Sequence, residues 1–127
     1  MNIYSQENTI TVCASAVALV AMGSRMLQSN DTVFSGRGDR SELYPEVLEA
    51  IAITVSTPLD GLLHVKLDGR RLHIIGDNKA FAKLGQSLVN VFQEASNGRH
   101  LHLDYYEENG LLAPTELHLI FECTSEE

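Results

Sequence analysis

The chain has 127 residues, 44% of them hydrophobic, and its 17 acidic against 9 basic residues give a formal net charge of −8. This length fits one domain with a single core, and the acidic balance excludes a protein that binds nucleic acid by neutralising phosphates. The longest apolar run, residues 12–22, is shorter than the roughly 20 residues that span a bilayer. No basic segment precedes that run, so we expect no secretory signal and no membrane partner, and we place the protein in the cytoplasm.

The first half of the chain carries few clear structural signals after residue 27. Residues 31–40 are rich in turn-forming residues, and residues 41–50 predict a short helix with Ser41 as its N-cap. Residues 51–56 predict a strand. The sequence Arg-Gly-Asp at residues 37–39 resembles an adhesion motif, but we interpret it as a chance occurrence in a mobile, exposed loop with room to make contacts.

The second half begins with a predicted β-hairpin. Residues 62–75 alternate between apolar and polar side chains around Asp68-Gly69, and glycine tolerates the positive φ that a two-residue turn requires. This turn predicts four cross-strand pairs, namely Val65 with Leu72, Leu63 with Ile74, His64 with His73, and Lys66 with Arg71.

A helix and two further strands are predicted next. The helix starts after Asp77, whose carboxylate is a good N-cap, and stops at Asn97-Gly98. Its apolar residues recur three and four positions apart and form one stripe, which consists of Phe81, Leu84, Leu88, Val91 and Phe92. Residues 100–106 and 116–122 then alternate as strands, with a turn-rich loop between them.

The two halves resemble each other. Residues 3–27 align without a gap with the segment 62 positions further along, so that Gly23 falls on Gly85. Ser15 falls on Asp77 and is therefore predicted to be the N-cap of a corresponding helix in the first half. Few residues are identical, and shared periodicity alone could produce much of the match, so both explanations stay open.

The predicted architecture is a single α+β domain of residues 1–127. It consists of two similar β-β-α-β-β units, about 1–57 and 61–123, joined at 58–60. Helices cover one face of a mostly antiparallel sheet. Whether the strands form one sheet or two stays open.

Alternation places the residues of the second half on two faces of the predicted strands. The inward residues are Leu63, Val65, Leu72, Ile74, Leu101, Leu103, Tyr105, Leu117, Leu119 and Phe121. All five histidines of the chain are expected on the opposite face, namely His64, His73, His100, His102 and His118, together with Asp104, Glu116 and Glu122.

This histidine-rich face has two interpretations. His100 and His102, two positions apart on a strand, could both face a metal ion. Alternation also places every polar residue on one side of a strand, so the same face is explained as its solvated side. The chain shows no motif for a catalytic nucleophile or a phosphate loop. Cys13 and Cys123 make no Cys-x-x-Cys pair and predict free, buried thiols in a reducing compartment.

A family resemblance rests on the C-terminal half. Gly76-Asp77 precedes the striped helix, Gly98-x-His100-x-His102 opens the next strand, and Leu112-Ala113 precedes the closing strand. This pattern resembles the bacterial immunity proteins of polymorphic toxin systems, in immunity protein family thirty-two, most strongly over residues 72–121.

The resemblance implies an antidote that is not an enzyme, needs no cofactor and neutralises a cognate toxin by stoichiometric protein binding. The acidic composition independently fits a basic toxin, and nucleases are one such class. The candidate partner-binding residues are His64, His73, His100, His102, Asp104, Tyr106, Glu107 and Glu108, with Tyr106 as an aromatic anchor. Two alternatives stay open: a structural or self-associating module, including a homodimer through an open sheet face or edge, and a metal-binding protein.

Overall fold

A computed structural model describes residues 1–40, 46–56, 60–94, 96–106 and 110–124. Within these residues the chain forms two helices and nine strands. In chain order they are β1 Asn2–Gln6, β2 Thr9–Ala14, α1 Ala16–Leu27, β3 Thr32–Ser35, β4 Glu46–Leu48, β5 Ala50–Val55, β6 His64–Asp68, β7 Arg71–Gly76, α2 Asn78–Phe92, β8 His100–Leu103 and β9 His118–Cys123. The predicted α+β class is confirmed.

The described strands form two sheets. Sheet A has the order β4-β1-β2-β9-β8, and sheet B has the order β3-β5-β7-β6. Neighbouring strands are antiparallel except for the two parallel pairs β2–β9 and β5–β7. Each sheet therefore joins the first hairpin of one half to the last strands of the other half, so neither sheet forms without both halves.

The pairing registers of the two sheets correspond. Val65 pairs with Ile74 in the β6–β7 hairpin, and both lie 62 positions after Ile3 and Val12, which pair in the β1–β2 hairpin. The parallel pairs correspond as well, since β2 begins against the start of β9 and β7 begins against the start of β5. This correspondence supports the internal duplication, which we retain as a proposal.

Both helices pack on the inner faces of the sheets and against each other around one hydrophobic core. The predicted apolar stripe of α2 is confirmed, since Phe81, Leu84, Leu88 and Phe92 are buried and Val91 is half-buried. Both predicted N-caps are confirmed too. The Ser15 hydroxyl accepts from the backbone N–H of Ala18 at 3.1 Å, and the Asp77 carboxylate accepts from that of Ala80 at 2.9 Å.

The predicted register of the second hairpin is wrong by two residues. Leu67 pairs with Leu72 and Val65 with Ile74, so the two loop residues are Gly69 and Arg70. Gly69 is the first of the two loop residues, and its φ of +61° fits a type II′ turn, which favours glycine at that position. The shift is even, so every side chain keeps its predicted face, but His64 lies opposite Ile75 and not His73.

Two predicted elements of the first half need correction. Residues 46–48, expected in a helix, form strand β4 on the edge of β1, while Ser41 and the rest of that predicted helix lie outside the described residues. Residues 32–35, expected in a turn-rich segment, form β3 on the edge of β5. Of the predicted joint at 58–60, only Asp60 lies within the described part of the chain.

The end of α2 also differs from the prediction. The helix ends at Phe92, so Asn97-Gly98 is not its stop signal. Gly98 has a φ of +91° and donates its N–H to the carbonyl of Cys123 at 2.8 Å. It therefore turns the chain into β8, a conformation that glycine adopts without steric cost.

Candidate functional site

The outer face of sheet A carries three of the five histidines next to two carboxylates. Leu101, Leu103, Leu119 and Phe121 point into the core, and the residues that alternate with them in β8 and β9 point outward. We call the outward group the acidic face, and it consists of His100, His102, Asp104, His118 and Glu122.

Hydrogen bonds and ion pairs link the acidic face internally. His118 Nδ1 lies 2.8 Å from Asp104 Oδ1, and His100 Nε2 lies 3.7 Å from Glu122 Oε1. The rings of His100 and His102 have their centroids 5.7 Å apart. All these side chains except that of Glu122 are exposed, so both histidines and carboxylates are accessible to a partner.

An open cavity adjoins the acidic face at the tip of the β1–β2 hairpin. It has a volume of about 460 Å³ and is lined by Gln6, Glu7, Asn8, Thr9 and His118. Glu7 holds a φ of +55° at the position that corresponds to Gly69, which has +61° in the second hairpin. A glutamate in this left-handed conformation is sterically unfavourable, and it adds a carboxylate beside His118. The sequence analysis did not select Glu7 as a site residue. The available signal was that Glu7 lies 62 positions before Gly69, which marks it as the turn residue of the first hairpin.

The opposite end of the outer face of sheet A holds Cys13. Its thiol is half-buried, and burial together with the negative charge of Glu122 raises the pKa of Cys13 to about 11, partly offset by the N-terminal amine. Cys123 is a buried free thiol, as predicted. A cavity of about 310 Å³ lies over this end and is lined by Met1, Asn2, Tyr4, Cys13, Arg37, Asp39, Arg40 and Thr124.

The Arg-Gly-Asp segment is fastened to β1 in this region. The Arg37 guanidinium lies 3.3 Å from the Asp39 carboxylate, and the backbone N–H of Asp39 donates to the Asn2 side chain at 3.1 Å. The backbone N–H of Arg37 donates to the carbonyl of Met1 at 2.8 Å. The segment is exposed as expected, but its arginine and aspartate side chains pair with each other.

The expectation that all five histidines share one face is wrong. His64 and His73 belong to sheet B, because β6 and β7 pair with β5 and not with β9. His64 Nε2 lies 3.0 Å from an oxygen of Asp60, and this hydrogen bond, with a second from the backbone N–H of Leu62, lowers the pKa of Asp60. His73 lies between Ala52 and Lys66 on the outer face of sheet B.

The remaining candidates follow the end of β8. Tyr106 is 61% exposed, and Glu107 and Glu108 lie outside the described residues. Tyr105, predicted to point inward, is exposed instead. The alternation ends at Leu103, because its partner strand β9 begins at His118 and leaves no strand for Tyr105 to pair with.

The acidic face offers hydrogen-bonding and charged groups. Nowhere in the described ranges do three His, Cys, Asp or Glu side chains meet in a way that could hold a metal ion. Neither described helix is long and apolar enough to cross a bilayer. The histidine–carboxylate pairs are exposed, and such a surface suits recognition of a charged partner.

Comparison with known proteins finds a similarity to one family in the second half of the chain. The family model described as Immunity protein 32 matches residues 71–124, less than half of the chain. The match confirms the resemblance drawn from residues 72–121. It spans β7, α2, β8 and β9, and the matched residues contain every residue of the acidic face. Searches of the curated proteins and of the solved structures found no significant match.

Proposed function

We propose that the protein is an immunity protein that neutralises a cognate bacterial toxin by binding it directly as a stoichiometric complex. The match of residues 71–124 to the Immunity protein 32 family is the observation that carries this proposal. Such a protein acts by occupying a surface of the toxin, so it requires neither a catalytic group nor a cofactor. We place this interaction in the cytoplasm.

The acidic face of sheet A is the proposed toxin-binding surface. Both helices pack on the inner side of the sheet, so neither covers this face. Asp104 and Glu122 give this face negative charge, and Glu7 adds a carboxylate in the adjoining cavity at the β1–β2 turn. The outer face of sheet B is a weaker candidate for a basic partner, because it combines Lys66 and Arg71 with Asp68.

The carboxylates of the acidic face support the proposal of a basic toxin. A nuclease toxin needs cationic side chains to bind the phosphates of its substrate, and an acidic protein surface can compete for those side chains. Opposite charges also accelerate the encounter between two proteins. We therefore propose a basic toxin, with nucleases as the leading class.

Tyr106 supplies the proposed aromatic anchor beside the acidic face. It is 61% exposed and follows β8 by three residues, and aromatic side chains commonly carry much of the affinity of an interface. Glu107 and Glu108 follow it in the chain and extend the acidic composition of the segment. His64 and His73 are not part of this proposed surface, since they lie on sheet B.

Co-expression tests the proposed function. The probe is a C-terminal toxin domain encoded by the gene immediately upstream, where that gene encodes one. Cells should stop growing when they produce the toxin domain without the protein, and they should grow when both are produced. A soluble, folded protein that neither protects the cells nor co-purifies with the toxin domain would refute the proposal.

A further inference from the structure

Strand β6 leaves hydrogen-bonding groups of its backbone unpaired at the edge of sheet B. The carbonyls of Arg70 and Gly76 accept from Glu49 and Ser56, so the even-numbered residues of β7 direct their backbone groups towards β5. The odd-numbered residues of β7 therefore bond to the even-numbered residues of β6. It follows that the N–H and C=O groups of Val65 and Leu67 point away from the sheet.

Within its described residues, the chain covers one end of this edge. Leu63 donates to the carbonyl of Leu111 at 2.7 Å and accepts from the N–H of Ala113 at 2.9 Å. Beyond that point, no residue of the described ranges pairs with the outer side of Val65 or Leu67. Two adjacent hydrogen-bonding positions of the edge are thus open.

The corresponding edge in sheet A is covered. Ile3 and Ser5 lie 62 positions before Val65 and Leu67, and β1 pairs there with strand β4. Ile3 and Ser5 are fully buried, at 0% and 1% exposure, whereas Val65 and Leu67 are only half-buried. The first hairpin thus has an antiparallel partner strand at the place where the second hairpin has none among the residues that the structure describes.

We propose that a second copy of this chain fills this position by pairing its own β6 antiparallel to β6. A two-fold axis at Leu67 makes the two copies of this residue a hydrogen-bonded pair and packs their side chains together. The same register places Lys66 of each copy opposite Asp68 of the other. Both side chains are exposed, and neither has an ion-pair partner in the described part of the chain.

The charge pattern of β6 selects a second copy over a basic toxin as the occupant. A strand that carries a cation, an apolar residue and an anion in succession complements itself when it pairs antiparallel. A basic segment would instead meet Lys66, with Arg71 on the neighbouring strand. Pairing through β6 continues sheet B across the dimer and leaves the acidic face of sheet A free in both copies.

Light scattering during size-exclusion chromatography tests the proposed dimer. The wild-type chain should change with concentration from 14.0 kDa towards about 28 kDa, which is twice the mass of one chain. Lys66→Asp and Asp68→Lys should each remain monomeric. In a dimer of either variant, positions 66 and 68 of the two copies would carry the same charge, and they face each other at two places. An equimolar mixture of these two variants should form a heterodimer. One variant then carries aspartate at both positions 66 and 68, the other carries lysine at both, and each aspartate faces a lysine.

A matched control separates the β6 edge from net charge. Lys79→Asp makes the same change in charge on the exposed surface of α2, and this variant should dimerise like the wild type. A monomeric wild type at every concentration would overturn the proposal. A dimer that both single variants retain, or a mixture of them that stays monomeric, would overturn it equally.

A second measurement does not depend on the folding of variants. Backbone amide exchange of the wild type should slow at Leu67 as the protein concentration rises, while exchange at His100 and His102 on the edge of β8 should not change. Exchange at Leu67 that does not depend on concentration would contradict the dimer. Toxin binding is measured separately, so loss of the dimer proposal leaves the proposed immunity function unaffected.

Discussion

Gly23 and Gly85 lie against each other's backbone where the two helices cross. A Cβ atom at Gly23 would lie 2.7 Å from the carbonyl oxygen of Gly85, and a Cβ atom at Gly85 would lie 2.6 Å from that of Gly23. These are the two glycines that the 62-residue offset aligns. Their reciprocal contact means that both halves contribute the same small residue to one helix–helix contact.

Alanine at either glycine should destabilise the protein. The added Cβ meets backbone atoms that cannot rotate away, so the helices must separate, and we expect the free energy of unfolding to fall by about 1–3 kcal/mol. Urea denaturation of Gly23→Ala and Gly85→Ala measures this change. Ser24→Ala, at an exposed position of α1, should stay within about 0.5 kcal/mol of the wild type. Unchanged or greater stability of both glycine variants would contradict the close contact.

The sequence predicts the features of the fold that depend on local spacing. These features are the apolar stripe of α2, the helix caps at Ser15 and Asp77, and the alternation of β8 and β9. Each depends on residues that are close together in the sequence. Sheet membership depends on contacts between distant segments. Nothing local indicates that β9 pairs with β2, or that β7 pairs with β5, and this pairing separates His64 and His73 from the other histidines.

Tertiary contacts also override local preference at the edges. Val47 and Leu48 fit a helical pattern, but pairing with β1 makes them a strand. Of the candidate site, the sequence correctly placed His100, His102 and Asp104 on one polar face, because they share one short strand and its extension. It could not place Glu7 beside them, since that contact depends on the parallel pairing of β2 and β9.

Reciprocal substitutions at the two hairpin turns test the strain at Glu7. Glu7→Gly removes a left-handed glutamate that costs about 1 kcal/mol, partly offset by the greater flexibility of glycine in the unfolded chain, so unfolding should require slightly more free energy. Gly69→Glu introduces the same conflict in the second hairpin and should lower stability by about 1 kcal/mol. Thermal or urea unfolding of both variants decides this. A less stable Glu7→Gly variant would show that the φ of Glu7 is not strained.

The thiol of Cys13 should be unreactive near neutral pH. Its pKa is raised from 9.0 to about 11, so at pH 8 its thiolate fraction is roughly 100-fold below that of an unfolded cysteine. Alkylation of the Cys123→Ala variant, which retains only Cys13, should be slow at pH 8 and rise towards pH 11. Rapid alkylation of the folded variant at pH 8 would contradict the raised pKa.

The same shift predicts a loss of stability at alkaline pH. The thiol ionises at lower pH in the unfolded chain than in the folded one, so its contribution is complete below about pH 9 and is lost as pH rises towards 11. Urea unfolding across this range should show a steeper decline for the wild type than for Cys13→Ala. Equal slopes would mean that Cys13 ionises alike in both states.

Charge removal should weaken toxin binding only on the acidic face. Asp104→Ala removes one carboxylate from this face, and we expect the affinity for the cognate toxin domain to fall roughly tenfold. Glu49→Ala removes the same charge next to Arg71 at sheet B and should change the affinity by less than about twofold. Surface plasmon resonance at fixed ionic strength compares the two variants. Equal losses would indicate that net charge matters and the face does not.

Titration calorimetry of the purified chain with that toxin domain tests the central claim most directly. Neutralisation by direct binding predicts saturable binding with one chain for each toxin domain, and loss of toxin activity at the same molar ratio. A folded chain that releases or absorbs no heat on mixing, and leaves the toxin fully active in molar excess, would contradict an immunity function.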